Sequence, residues 1–100
     1  MRALTTLAEL DGLLKEPGPT LLFKHSTRCP ISAGALEEME AFGGDVVYLD
    51  LIAHRDVSNE IARRLGVQHE SPQLILVKEG RAAAVLNHDE ITREAVERLR

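Results

Sequence analysis

The sequence predicts an α/β fold, a central four-stranded mixed sheet with helices on both faces, in one domain over residues 1–100. Three observations predict it. Helical periodicity alternates with short apolar runs in the order αβαβαββα. The first two runs flank a helical segment, which suggests parallel pairing through a right-handed crossover. The last two are joined by the tight turn Glu79-Gly80 and must be antiparallel.

The first helix opens on a possible capping box, Thr6 with Glu9, and carries Leu7, Leu10 and Leu14 at helical spacing. Pro17-Gly18-Pro19 stops it. Thr20 to Lys24 reads as a short buried strand, with Leu21, Leu22 and Phe23 in a row. His25 to Cys29 is a polar loop. A helix follows from about Pro30 to Phe42, apolar at Leu36, Met39 and Phe42, with Glu37, Glu38 and Glu40 on a wet face. Gly43-Gly44 ends it. Val46 to Leu49 is the second strand, where Tyr48 reads as core. Asp56 caps a third helix bearing Val57, Ile61 and Leu65, with Gly66 as its stop. Leu74 to Lys78 and Ala82 to Leu86 are the last strands. A helix from about Asp89 or Glu90, with Ile91, Ala95 and Leu99, completes the chain. This order of elements resembles that of the thioredoxin fold.

Composition bounds the function. Hydrophobic residues make up 44% and charged residues 28%, ordinary values for a globular chain. A formal charge of -4 with no Lys/Arg run argues against nucleic acid as a partner. The N-terminal apolar stretch is broken by Glu9 and Asp11, so no signal peptide is expected. No segment reaches the roughly 20 apolar residues of a membrane span. A cytoplasmic location with no membrane partner is the expectation. One cysteine excludes an internal disulfide.

That cysteine, Cys29, falls between the end of a strand and the start of a helix. Pro30 suits a first helical turn, where its missing N–H costs nothing. A helix N-terminus offers free N–H groups and about half a positive charge, both of which favour thiolate over thiol. Lys24, His25 and Arg28 are near in sequence and add positive charge. The thiol pKa is therefore expected below its free value of about 8.5. Ser32 stands where a dithiol site has its second cysteine, so release of a mixed disulfide needs an outside thiol. Two readings of Ser32 stay open: a hydrogen bond to the Cys29 sulfur, or plain occupancy of the first helical turn.

Lys24-His25-Ser26-Thr27-Arg28-Cys29-Pro30-Ile31-Ser32 resembles the active-site stretch of the monothiol bacilliredoxins, proteins of the bacillithiol redox system. Gly66 to Gln73 is similar to that family's approach to the third strand, and Asn87 to Thr92 to its loop before the last helix. The likeness covers most of the chain; the N-terminal part is short. It implies a catalytic Cys29 with Ser32 beside it. It further implies substrate contacts from Thr27, Arg28, Pro30, Ile31, Ser71, Pro72 and His88. Pro72 stands where thioredoxin relatives have a cis-proline, and the Ser71 backbone would pair with a bound disulfide.

The implied reaction is removal of bacillithiol, or a similar small thiol, from S-thiolated client proteins. Bacillithiol is a co-substrate there, and neither metal nor bound cofactor is called for. Its anionic malate group suggests recognition by Lys24 and Arg28, against plain surface solvation of both. His88 either tunes the thiolate, supported by Thr92, or is only a polar residue at the helix entry. His69 and Glu70 are candidates for the substrate groove, and His54 reads as a solvated loop residue. His25 and Cys29, four apart on a loop with no second thiol, do not make a zinc site. Two other functions compete: an iron–sulfur cluster held between two chains through Cys29, and a non-catalytic stress protein that keeps the fold.

Overall fold

In a computed structural model the described residues are 1–28 and 30–99. Five strands form one sheet in the order β1-β3-β2-β4-β5. They are β1 (Arg2–Ala3), β2 (Thr20–His25), β3 (Val47–Asp50), β4 (Gln73–Lys78) and β5 (Arg81–Asn87). The helices are α1 (Leu7–Lys15), α2 (Pro30–Phe42), α3 (Arg55–Leu65) and α4 (Arg93–Leu99). β1, β3 and β2 run parallel, and β4 and β5 are antiparallel to their neighbours. The expected mixed sheet is present, with one strand more than the four expected. β1 is two exposed residues joined to β3 by backbone bonds, such as Leu4 N–H to the Tyr48 carbonyl at 2.7 Å. It has no apolar alternation to announce it.

β2 lies at the centre and is buried from Leu21 to His25. Successive side chains point to opposite faces, and both faces are covered. Leu22 packs with Leu10, Leu49, Ile61 and Ile75 under α1 and α3. Leu21 and Phe23 pack with Met39, Leu74, Ile91 and Val96 under α2 and α4.

The helix ends follow local chemistry. Thr6 and Glu9 close the expected capping box on α1. Gly66 ends α3 in the left-handed region at φ 65°. Asp56, expected as the cap of α3, lies in its first turn; His54 precedes the helix without a side-chain cap, half-buried rather than solvated. The expected last helix divides in two. His88–Glu90 is one 3₁₀ turn, and α4 begins at Arg93, where Thr92 Oγ1 accepts from Ala95 N–H at 3.1 Å.

Candidate functional site

Three stretches singled out in the sequence meet at one end of the sheet. β2 runs toward residues 26–28. Lys24 lies opposite Gln73, so the antiparallel register sets the segment before β4 beside that loop. The Ser71-Pro72 peptide bond is cis, as the resemblance implies. The Pro72 carbonyl accepts the His88 N–H at 2.9 Å, which ties the 3₁₀ turn to the proline, and that turn also packs on α2.

Cys29 lies outside the described residues. Its neighbours are defined. Pro30 is the first residue of α2, so the chain enters a 13-residue helix directly after the cysteine. Thr27, Arg28, Pro30 and Ile31 are exposed; Ile31 stands out as a large apolar side chain that is 55% accessible. Ser32 is wholly buried, and its Oγ accepts the Ser26 N–H at 3.2 Å. Its hydroxyl therefore braces the loop as well as filling the first helical turn. Ser26 Oγ in turn accepts from Arg28 N–H at 3.4 Å.

The expected positive charges are not alike. His25 is buried against Phe23 and Tyr48, and desolvation lowers its pKa against a hydrogen bond to the Ser32 backbone and the Asp50 charge. It is neutral at neutral pH. Lys24 is not on the surface at all, and this removes both sequence readings of it. Its side chain shares the α1/α3 face with Leu22 and has no accessible area, because a central strand covered on both sides has no wet position. Desolvation lowers its pKa from 10.5 to about 8. Its Nζ donates to His69 Nδ1 at 2.8 Å, and Ser58 Oγ lies 3.5 Å from the same nitrogen. Arg28 remains as the exposed cation of the three.

His88 has φ 53°, and its Nε2 lies 3.1 Å from Glu70 Oε1. Gln73 Nε2 donates to the Gln68 carbonyl at 2.9 Å and to Asn87 Oδ1 at 3.0 Å. One buried side chain thereby holds segments 66–72 and 87–90. Sequence reasoning missed the Lys24–His69 pair, whose partners are far apart in the chain. Its only local signal was a lysine ending an apolar run.

Among the described residues, the buried side-chain atoms with no hydrogen-bond partner are His25 Nδ1, Ser71 Oγ and Gln73 Oε1. All three lie at this end of the sheet. Unmet polar atoms are rare in a packed interior, and their clustering marks a place where something besides packing governs the residues. A cavity of about 440 Å³ lies at the opposite end, between Arg2, Glu16, Pro19 and Asp45. Its lining includes the carboxylates of Glu16 and Asp45 but no residue of the three converging stretches, so it is apart from the site.

Comparison with known proteins agrees with this geometry. A solved structure of a proposed oxidoreductase with a thioredoxin fold superposes with a TM-score of 0.89 at 29% identity, covering 97% of this chain and 90% of that one. Thioredoxin from Fasciola hepatica gives 0.76 at 15% identity, covering 99% and 95%. Mitochondrial thioredoxin 3 from Saccharomyces cerevisiae gives 0.74 at 18%, covering 98% and 91%. The last two establish the thioredoxin fold. The model of the family described as monothiol bacilliredoxin BrxC matches residues 2–96, which takes in all three converging stretches. With a thiol redox function thus supported by both fold and family, the chain belongs to the monothiol bacilliredoxins.

Proposed function

We propose that this protein is a monothiol thiol–disulfide oxidoreductase that removes bacillithiol, or a similar low-molecular-weight thiol, from protein mixed disulfides through Cys29. The observation that carries the reading is where the sequence neighbours of the chain's one cysteine stand. Pro30, the next residue, opens α2 at the sheet end where cis-Pro72 and His88 converge.

The N-terminal N–H groups of α2 favour the Cys29 thiolate, and exposed Arg28 adds to the local positive field. The thiolate attacks the bacillithiol sulfur of the client's mixed disulfide. A Cys29–bacillithiol disulfide forms, the client–bacillithiol bond breaks, and the client cysteine leaves as a thiolate that takes a proton from water. Ser32 offers no second thiol, so a second small-thiol thiolate must attack the adduct. That step frees Cys29 and yields a small-molecule disulfide. Exposed Ile31 gives the client an apolar contact beside the cysteine, and the Ser71 backbone pairs with the bound disulfide. A thiol cycle of this kind suits the reducing cytoplasm.

Intact-mass spectrometry tests the reading. A client carrying a bacillithiol mixed disulfide is mixed with the protein and, in parallel, with Cys29→Ser. Transfer of the adduct to Cys29, with the variant bare, is the expected result. No transfer to the unmodified protein would overturn it.

A further inference from the structure

The proposed exchange makes no use of the most unusual buried group in the molecule, Lys24. A buried ammonium ordinarily sits against a carboxylate, because an unpaired charge in the interior is costly. Among the described residues Lys24 has no acidic partner; its one polar contact is the neutral Nδ1 of His69. An ammonium can only donate, so that contact leaves the His69 proton on Nε2.

His69 itself is exposed, and its Nε2 has no partner among the described residues. Lys24 lies beneath it and Arg55 stands at the start of α3. Desolvation of the ring first, then these two positive charges, disfavour its protonation, against the charge of Glu70, whose Oε1 lies 3.1 Å from His88 Nε2. The segment is also held still. Gln73 fixes the Gln68 carbonyl, and Val67 N–H donates to the Ala62 carbonyl at 3.2 Å. His69 is two residues before Ser71, a reach of about 7 Å along extended chain.

We propose that His69, oriented from below by Lys24, binds a carboxylate of the low-molecular-weight thiol in the mixed disulfide, with Arg55 supplying a second positive charge. This rests on the exchange reading of Cys29 and adds a subsite to it. The ring presents a fixed Nε2–H donor with the positive charges of Lys24 and Arg55 nearby, which suits a carboxylate better than an ester. Lys24 is a positioning residue: it sets the tautomer and does not touch the ligand.

The test compares two mixed disulfides of one single-cysteine peptide, made with bacillithiol and with bacillithiol whose malyl carboxylates are methyl esters. The peptide is constant, so any preference belongs to the small thiol rather than to acidic groups of a client. The unmodified protein should transfer the carboxylate form about five to ten times faster, the size of one charge-assisted hydrogen bond at a partly exposed site. His69→Leu should bring the ratio of the two rates close to one. His69→Gln, whose amide restores a donor near the Nε2 position, should recover part of it. Lys24→Met should lower the ratio, and Arg55→Gln should lower it less. A ratio near one in the unmodified protein would overturn the subsite and leave the exchange reading intact. A ratio unmoved by His69→Leu would do the same. Failure of both substrates to transfer would remove the exchange reading and the subsite with it.

Discussion

Replacing Lys24 with methionine should make the protein more stable. Moving an amine from 10.5 to about 8 corresponds to about 3 kcal/mol between its charged and neutral forms. That is an upper figure. Lys24 is inaccessible, yet it sits at the end of the sheet behind the exposed His69 ring, and solvent screening brings the value nearer 2 kcal/mol. Methionine has a similar shape and no charge to desolvate. Losing the bond to His69 takes back up to about 1 kcal/mol, because the exposed ring turns to water. A net gain of about 1 kcal/mol remains at neutral pH, a rise in Tm of about 4–8 °C for a domain of this size.

The pH dependence follows from the direction of the shift. Below about pH 8 the amine is charged in both folded and unfolded chains, and the full penalty is present. Between about 8 and 10.5 the folded protein has shed this proton and the unfolded chain still holds it, so the unmodified protein gains stability as pH rises. The advantage of Lys24→Met should therefore shrink over that window. Urea unfolding followed by circular dichroism, at about pH 7 and about pH 10 for both proteins, measures it. A variant less stable than the parent at neutral pH, or a difference that does not change with pH, would refute the reasoning.

Other expectations concern the frame of the site. Gly80 has φ 74°, and a Cβ there would meet the Leu14 carbonyl oxygen at 2.8 Å, whereas Gly66 at φ 65° faces open space. Gly80→Ala should cost about 2–3 kcal/mol and Gly66→Ala about 1, so equal losses in thermal denaturation would count against the packing of the hairpin on α1. Ser32→Ala leaves the buried Ser26 N–H without its acceptor and should cost about 1–3 kcal/mol. Faster hydrogen exchange at Ser26 is its signature, and unchanged exchange would dismiss the brace. Ile31→Ser should leave stability within about 0.5 kcal/mol, since the side chain is exposed. It should slow transfer from a folded client more than from a short peptide; equal slowing would mean that Ile31 makes no client contact.

What the chain discloses about itself depends on how local each cause is. The Thr6–Glu9 box, the span Pro30–Phe42 and the Gly66 stop are fixed by residues within a turn of each other, and all appear where expected. β1 escaped notice because backbone bonds to β3 hold it and its side chains are exposed. The last helix starts later than the apolar spacing from about Asp89 or Glu90 predicts. Asn87 and Glu90 form a capping box of their own around a single 3₁₀ turn, which then gives way to a second start at Thr92. At the site, the motif around Cys29 and the cis-proline were legible as patterns. Lys24 was not. A lysine at the end of an apolar run looks like a strand leaving the core, and only the central place of β2 makes it interior. Its partner, His69, is 45 positions away, beyond the reach of any periodicity.

The sheet has two unlike ends. The unmet polar atoms gather where β2 finishes and β4 begins. At the other end, Glu16 to Pro19 is exposed and Gly18 has open space around it. A six-residue strand separates the two by about 20 Å. That remote corner is therefore the natural attachment point for anyone building with this protein. A fluorophore, an affinity handle or a fused reporter grafted into the Glu16–Pro19 connection would ride on the scaffold while the reactive end stayed open.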